Sequence, residues 1–513
     1  MRTLPLARWT PRVEPRFSLL PLPLLGLYLL ALPLLLWRLD SAPAFWFDEG
    51  FRANQAYVLA TTGQYATSDH DAVRPFDPAA GTGPADTLPV AALYALLGPG
   101  IWQSRLPTVV YALLGLTAAY FLGRWFAGWQ AGFLAALLVL AAPTVGDTGY
   151  VMLGRQLMGE VPAVALILLG LWLWFQTWEA DRPLPAPWRA ALPGLVVGLG
   201  LLSKTQTAFG VLPGLALITA ARCWTLRRQG RATLIREVAP LLAVAAMLGS
   251  WQLLTRIAVD DIRRAEYAAM LSVTVGTNLL TSLFGRATSN SAWAMFGLMV
   301  TVAVLAVIAA ARPGGARWSA RAWGQLTLAL IVLSHALWFA YVSIGWTRYA
   351  FLGWVTAWLL LGVGATRLLR QPEVGPWPWR IAAVALAALA FLYNGYRIVA
   401  TARDPQVVAA AAFIRQQIPA EAVIESWEWE LDALALRTDI SRPGQTDQMD
   451  AIRRAFYPTG GPAPTYDTLR NDPDYLIVGR MAGFTGVYPP DIIADHFVLL
   501  VEIGDYDIYS RVR

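Results

Sequence analysis

The chain has 513 residues, of which 56% are hydrophobic and only 14% are charged. Soluble domains carry about 25% charged residues, so this composition excludes an ordinary soluble protein and predicts a polytopic membrane protein. A single cysteine, Cys223, excludes a disulfide framework. The formal net charge of +6 does not indicate nucleic-acid binding, because in a membrane protein the positions of the charges matter more than their sum.

Eleven apolar segments are candidates for membrane-spanning helices, each of which needs roughly 20 residues to cross about 30 Å of hydrocarbon. They lie at about residues 17–37, 104–123, 129–143, 160–178, 190–203, 206–222, 238–257, 290–311, 324–343, 350–366 and 381–400. The third and fifth are short. The first ends near the small-residue sequence SAPA, which is also typical of a signal-peptide cleavage site. Its apolar run is, however, longer than the apolar core of a signal peptide, which has roughly 7–15 residues.

The arginines favour one orientation. They cluster in the N-terminal tail and in alternate loops, at positions 124, 182–189, 222–236, 312–321 and 367–380. Loops rich in arginine normally face the cytoplasm. We therefore predict a multi-pass plasma-membrane protein with a cytoplasmic N-terminus, a transmembrane domain over residues 1–400 and an extracytoplasmic domain over residues 401–513.

The first outer loop, at about residues 38–103, contains two adjacent acids directly after a span. Asp48 and Glu49 stand in FWFDEG, and the surrounding residues are aromatic: Phe45, Trp46, Phe47 and Phe51. A loop of this length without obvious structure is usually functional or disordered, and its aromatic residues argue against disorder. Its later segment LPVAALYALLG is too short to span and predicts an interfacial or re-entrant helix.

The last 110 or so residues predict a small α/β domain. DPQVVAAAAFIRQQIP reads as a helix with Asp404 as its N-cap, whereas AVIES, DYLIVGR and HFVLLVEIGDYDIYSRV read as strands, the last as a hairpin turning at Gly504 and Asp505. ESWEWE, with Glu425, Glu428 and Glu430, has a composition suited to sugar contact, but we interpret it as an ordinary strand or an exposed loop.

Two further charged residues stand where the chain meets the outer face. Glu160 begins the fourth span, five residues after Arg155, and is either a functional acid or the ion-pair partner of that arginine. Lys204 lies between the fifth and sixth spans and is the only lysine of the chain. An ammonium group is a common phosphate ligand, so Lys204 predicts a phosphate site, with snorkelling to the interface as the alternative.

Arg348 and Tyr349 begin the tenth span, and Arg105 begins the second. Each is an interface anchor or a ligand-binding residue. The three histidines are too scattered for a metal motif, and SDHD, around His70, is a weak signal for one. We therefore predict no metal-binding residues and no certain cofactor; dependence on a divalent cation is left open.

The order of these segments resembles the GT-C superfamily of membrane glycosyltransferases. The resemblance covers roughly residues 15–370 and is carried by the acidic pair, then TGPADTLPVAALYALLG, GRQLMGEVPAVALILLGLWL, GLVVGLGLLSKTQTAF and WTRYAFLGWVTAWLLL. It is greatest to the protein O-mannosyltransferase and aminoarabinose-transferase type, which uses dolichyl- or undecaprenyl-phosphate sugars. The chain departs from that type by having TGPADTLP where relatives often have a His-Pro-Pro-like stretch, and Glu160 where relatives often have Asp.

The resemblance implies an α-helical GT-C-like fold and the transfer of a sugar, hexosyl or pentosyl, from a polyprenyl-phosphate donor to a lipid, glycan or protein acceptor. It implies catalytic roles for Asp48, Glu49 and Glu160. Donor-phosphate binding would fall to Lys204, Arg348, Arg105 and Arg155, and substrate contacts to Tyr349 and Trp46. The alternatives are a transporter or flippase and a structural protein that binds polysaccharide, but transporters place ionisable groups near the bilayer midplane and often have repeated halves.

Overall fold

The computed structural model describes residues 21–68, 73–77, 83–142, 148–179, 187–265, 267–268, 290–311, 318–343, 346–369, 377–403, 405–456 and 466–512. Asp69, His70 and Asp71, and with them the weak metal signal of SDHD, lie outside the described residues.

All eleven predicted spans contain helices. In chain order, with the helices of the first outer loop included, they are α1 (Leu22–Leu36), α2 (Phe47–Thr62), α3 (Pro84–Leu97), α4 (Ile101–Ala127), α5 (Trp129–Ala141), α6 (Tyr150–Leu153), α7 (Glu160–Gln176), α8 (Pro187–Ser203), α9 (Ala208–Leu226), α10 (Arg231–Ala258), α11 (Asn290–Ala311), α12 (Ala320–Tyr341), α13 (Phe351–Leu369) and α14 (Trp377–Thr401). Within the described residues, seven helices are long and apolar enough to cross a membrane, and α1, α5, α7 and α8 are shorter apolar helices. The number of crossings and their orientation remain predictions.

The spanning helices pack into one apolar core. The helix α4 packs against α5 and α7, while α8 packs between α7 and α10, and α12 packs against α9 and α11. Buried leucine, alanine, valine and isoleucine side chains dominate this core. Such helices bury their backbone hydrogen bonds internally, which is what a lipid environment demands.

The first outer loop is folded. It contains α2, a two-stranded antiparallel sheet of β1 (Ala66–Ser68) and β2 (Val73–Pro75), and α3. The helix α2 ends at Gly63, whose φ of 73° is a left-handed conformation that glycine adopts at little cost. The predicted short helix of this loop is therefore present as α3, which packs against α2, α4 and α8.

The C-terminal region contains the predicted α/β domain. The helix α15 (Gln406–Gln417) precedes a mixed four-stranded sheet of order β3-β4-β6-β5, in which β3 (Ile424–Ser426) and β4 (Tyr475–Val478) are parallel. The strands β5 (Phe497–Ile503) and β6 (Tyr506–Arg511) form the predicted hairpin. Asp404 lies outside the described residues, and the helix has Pro405 as its N-cap.

Short helices α16 (Glu430–Ala435), α17 (Gln445–Phe456), α18 (Arg480–Thr485) and α19 (Pro490–His496) complete the C-terminal domain. The helix α16 docks this domain against α2. Phe47 and Phe51 of α2 contact Trp427 and Trp429, with ring centroids 5.7 Å and 4.3 Å apart. A Cβ on Gly50 would lie 2.1 Å from the backbone nitrogen of Glu430, so only glycine permits this approach.

The interpretation of ESWEWE as an ordinary strand or exposed loop was only half correct. Glu425 lies in β3, but its side chain and those of Glu428 and Glu430 are buried. Glu425 accepts a hydrogen bond from Tyr466, and Glu428 accepts one from the backbone of Ala482 at the start of α18. Burial was not readable from the local pattern, because it results from α2 and α18 covering the segment.

Candidate active site

Asp48 lies in the first turn of α2, and its carboxylate Oδ2 is ion-paired with the guanidinium of Arg348. Arg348 belongs to a 3₁₀ turn, Thr347–Ala350, that leads into α13. The Asp48 side chain is 25% exposed and Arg348 is 12% exposed, so the pair is accessible from one side. The N-cap residue of α2, Trp46, makes no side-chain capping bond, and the Asp48 carboxylate reaches across to another element.

Glu160 and Lys204 form the second acid–base pair. Glu160 is the first residue of α7, and Lys204 lies between α8 and the 3₁₀ turn Thr205–Thr207. The ammonium nitrogen Nζ is 2.8 Å from Oε1 of Glu160. Gly159 permits the contact, because a Cβ there would lie 2.1 Å from the carbonyl oxygen of Ser203. Of the two interpretations of Glu160, the structure contradicts the alternative in which it pairs with Arg155.

Tyr349 joins the two pairs. The ammonium of Lys204 lies 5.2 Å from the centre of its ring, and the guanidinium of Arg348 lies 5.5 Å from the same centre. Glu160, Lys204, Arg348 and Tyr349 line one narrow cavity of about 10 Å³. That volume is close to the minimum for one water molecule, so the side chains that line the cavity are closely packed.

Trp46 borders the same constellation. The Arg348 guanidinium lies 5.6 Å from the centre of the Trp46 ring and 4.7 Å from that of Trp346. The indole nitrogen of Trp46 donates to the side-chain oxygen of Gln156 at 3.2 Å, which fixes the ring. Aromatic rings in this position attract a cation and exclude water around it.

Glu49 lies in the first turn of α2, next to Asp48, but its carboxylate contacts a different set of residues from the two pairs. Its carboxylate accepts hydrogen bonds from Arg105 Nη2 at 2.5 Å and Nε at 2.9 Å, and from the backbone nitrogen of Leu157 at 2.7 Å. Arg105 also donates to the carbonyl oxygens of Leu39 and Pro43. Both charged side chains are fully buried. The structure thus gives Glu49 and Arg105 a role in fixing the loop, and does not bring them to the site as catalytic acid and phosphate ligand.

Arg155 also differs from its predicted role. It is fully buried and donates to three backbone carbonyl oxygens, those of Leu34, Trp37 and Ala42. Orphan carbonyls at a helix end need such donors, so Arg155 caps the end of α1. Its donors face these carbonyls, and we do not retain it as a phosphate ligand.

Asp86 and Arg52 were missed from the sequence. Asp86 lies in the first turn of α3, is buried, and neither of its carboxylate oxygens has a hydrogen-bond partner among the described residues. Arg52 Nε lies 3.9 Å from it. Burial raises the pKa of Asp86 to about 6, against the opposing effect of the Arg52 charge, and the charge of Glu160 also raises it. The motif TGPADTLP contained this acid, but no local pattern distinguished it from other loop carboxylates.

Among the described residues, no group of three or more histidine, cysteine, aspartate or glutamate side chains is placed to hold a metal ion.

The fold is that of the GT-C membrane glycosyltransferases, with a small C-terminal sheet domain. The crystal structure of ArnT from Cupriavidus metallidurans bound to undecaprenyl phosphate has a TM-score of 0.65 and 14% sequence identity, covering 95% of this chain and 98% of that one. The archaeal oligosaccharyltransferase AglB from Archaeoglobus fulgidus, in complex with an inhibitory peptide and a dolichol-phosphate, has a TM-score of 0.53 and 13% identity, covering 96% of this chain and 74% of that one.

The sequence itself supports the same resemblance. The family described as dolichyl-phosphate-mannose-protein mannosyltransferase matches residues 84–251, about a third of the chain. The matched segment runs from α3 to α10 and contains Asp86, Glu160 and Lys204, but not Asp48 or Arg348. No curated protein matches the chain. The predicted resemblance to mannosyl- and aminoarabinose-transferases is thus confirmed.

Proposed function

We propose that the protein transfers a sugar from a polyprenyl-phosphate donor to an acceptor on the outer face of the plasma membrane. The main observation behind this proposal is that two ion pairs, Asp48–Arg348 and Glu160–Lys204, lie around the ring of Tyr349. Glu160, Lys204 and Arg348 lie at the ends of predicted spanning helices, and Asp48 lies in the first outer loop. A donor whose phosphate is anchored in the bilayer presents its sugar at this depth.

Asp48 is the proposed general base. The acceptor hydroxyl loses its proton to the Asp48 carboxylate as its oxygen forms a bond to the anomeric carbon of the donor sugar. The bond between that carbon and the phosphate oxygen breaks, and its electron pair leaves with the polyprenyl phosphate. Arg348 donates a hydrogen bond to Oδ2 of Asp48. Among the described residues no donor contacts Oδ1, and we therefore assign Oδ1 as the oxygen that accepts the proton.

Arg348 and Lys204 are the proposed phosphate ligands. The leaving phosphate gains negative charge, and fixed cations in a site of low polarity stabilise that charge best. Each cation is paired with a carboxylate, so a phosphate group shares or replaces that contact. Glu160 holds Lys204 in place, whereas Tyr349 and Trp46 form the apolar walls against which the substrate packs.

The resemblance to ArnT and AglB supports the choice of donor, since those two structures contain undecaprenyl phosphate and a dolichol-phosphate, respectively. The proposal extends this to a lipid-phosphate sugar, hexosyl or pentosyl, and to a lipid, glycan or protein acceptor. The predicted topology, with a cytoplasmic N-terminus and the domain at residues 401–513 outside, places both substrates on the same side.

Mass spectrometry of envelope lipids, glycans and proteins from a deletion strain tests this function. We expect one glycan modification to be lost, restored by the wild-type gene and not by the Asp48→Asn variant expressed at the same level. A complete and unchanged envelope glycan profile in the deletion strain, with the polyprenyl-phosphate sugars also unchanged, would contradict the proposal. The mass of the missing sugar would identify donor and acceptor class together.

A further inference from the structure

A second cavity lies between the first outer loop and the C-terminal domain. It has a volume of about 240 Å³. Among the described residues, those that line it come from residues 40–47 and from residues 403–506. The cavity is thus formed by the first outer loop and the C-terminal domain, outside the predicted spanning helices.

Aromatic and apolar groups make up much of its wall. Phe45, Trp46 and Phe47 contribute from the loop, and Phe484, which is 60% exposed, lies on the C-terminal side. Trp46 is shared with the candidate active site, because the Arg348 guanidinium lies 5.6 Å from its ring. The cavity therefore ends beside the Asp48–Arg348 pair. Binding sites for small polar molecules commonly combine such apolar walls with a few fixed polar groups.

Two buried carboxylates supply the polar groups. Oε1 of Glu430 accepts a hydrogen bond from the Tyr506 hydroxyl at 2.9 Å. Oε2 of Glu430 is buried and receives no hydrogen bond from a donor in the described part of the chain. Glu428 is its neighbour, and burial together with this like charge raises the pKa of Glu430 well above its usual range, which favours the protonated, neutral form of Glu430. A buried acceptor without a donor is costly, so a ligand that brings hydroxyl donors gains affinity here.

The charges at the cavity determine which ligand fits. Four carboxylates line it, those of Asp40, Glu428, Glu430 and Asp505, against the two guanidinium groups of Arg403 and Arg480. Asp505 is ion-paired with both arginines, at 3.4 Å and 2.7 Å. Burial raises the pKa of Glu428 and of Glu430 and so favours their neutral forms, which leaves Asp40 and Asp505 against the two arginines. The cavity thus has no excess of either charge, and it suits a neutral molecule rich in hydroxyl groups better than an anion.

We infer that this cavity binds one neutral sugar ring of the acceptor, held by Glu430 and Glu428 between Trp46 and Phe484. That the bound sugar belongs to the acceptor rests on the proposed function. The binding of a sugar ring in this cavity does not require catalysis. It adds to the transferase a specificity site built by the C-terminal domain, which sequence reasoning had not assigned to the chemistry.

Saturation-transfer NMR on the full-length protein in nanodiscs tests the inference. The probes are the methyl glycosides of glucose, galactose, mannose and arabinose, with glucose 6-phosphate as the anionic control and a short threonine-containing peptide as the alternative. We expect at least one neutral glycoside, and not the phosphate, to receive saturation. Glu430→Gln, which exchanges one carboxyl oxygen for an amide donor, and Phe484→Ala should each weaken its binding about fivefold or more, the scale of one lost hydrogen bond between neutral groups.

Three controls make the outcome decisive. Glu421→Gln changes an exposed carboxylate of the same domain and should leave glycoside binding unchanged. Asp48→Asn should also keep it, which separates a failed cavity from a failed transferase. Undecaprenyl phosphate binding, measured separately, should be unaffected by Glu430→Gln. No glycoside binding, binding of the peptide alone, equal binding in both cavity variants, or weakened undecaprenyl phosphate binding in Glu430→Gln would each overturn the inference.

Discussion

Asp48 and Arg348 are 300 positions apart in the chain, yet the guanidinium of the second contacts the carboxylate of the first. The contact joins the first outer loop to the turn before α13. Neither residue could be paired with the other from the sequence, since each stood in its own short motif beside its own apolar segment. Their meeting is the main structural reason for placing the chemistry here.

The Glu160–Lys204 pair provides a prediction that separates stability from function. Lys204→Met leaves the Glu160 carboxylate, which is 3% exposed, without its partner, and should lower the free energy of unfolding by about 3–5 kcal/mol. The double variant Lys204→Met/Glu160→Gln should recover most of that loss. Neither variant should bind undecaprenyl phosphate as tightly as wild type, and Lys204→Arg should keep part of the affinity. Thermal unfolding and lipid-phosphate binding in nanodiscs measure the two effects.

The ion pair between Arg222 and Glu237, 2.8 Å apart, is the matched control, because it is similarly buried and its loop is predicted to be cytoplasmic. Arg222→Met should lower stability in the same way without changing lipid-phosphate affinity in the protein that remains folded. Unchanged lipid-phosphate affinity in the Lys204 double variant would return Lys204 to a purely structural role.

Gly50 sets how closely α2 approaches the C-terminal domain. Gly50→Ala should destabilise the protein by about 1–3 kcal/mol, because the new methyl group would overlap the backbone of Glu430. Gly249→Ala, in α10 with no atom within 4 Å of the added Cβ, is the matched control and should be neutral or slightly stabilising. Melting curves of the two purified variants provide the comparison, and equal melting temperatures would refute the close approach.

The burial of Asp86 predicts a dependence of stability on pH. Its pKa is raised from 3.8 to about 6, mainly by burial, so the folded state favours the protonated form. The contribution of Asp86 to the free energy of unfolding is therefore greatest below pH about 4 and decreases as the pH rises through about 6. Asp86→Asn should remove this decrease, whereas Asp261→Asn, at a side chain 93% exposed, should leave it in place. Thermal unfolding between roughly pH 4 and pH 7 would measure how stability changes with pH in the wild type and in each variant. The same change with pH in the wild type and in Asp86→Asn would exclude the effect.

The predicted topology has its own test. A reporter fused to Arg513 should be active outside the cytoplasm, and one inserted at Gly230 should be active inside it, because the arginine-rich loops face the cytoplasm. Phosphatase and fluorescent-protein fusions report the two sides. A cytoplasmic signal from the Arg513 fusion would move the C-terminal domain to the side opposite the proposed donor.

The sequence predicted the spanning helices well because their signal is local: an apolar run of sufficient length and its flanking arginines. Boundaries were less accurate where a capping contact decides them, as in α12, which begins at Ala320 because the Ser319 side chain accepts from the backbone of Ala322. The strands β1 and β2, of three residues each, were too short to recognise.

The site was predicted in part. The positions of Asp48, Glu160, Lys204 and Arg348 followed from acids and cations at the ends of apolar segments. Their pairing did not, and neither did the burial of Asp86, because both depend on contacts between distant segments. Arg105 and Arg155 were indistinguishable from phosphate ligands in the sequence, since nothing local reveals that backbone carbonyls and Glu49 occupy their donors.

The most direct test of the account is the rate of sugar transfer by Asp48→Asn in membranes that contain the native donor and acceptor. Asparagine keeps the size of aspartate but cannot accept the proton, so transfer should fall by roughly 10²-fold or more while the melting temperature stays near that of wild type. Asp491→Asn changes an exposed first-turn aspartate of α19 and should transfer at the wild-type rate. An Asp48→Asn variant that keeps most of its transfer rate would contradict the assignment of Asp48 as the general base.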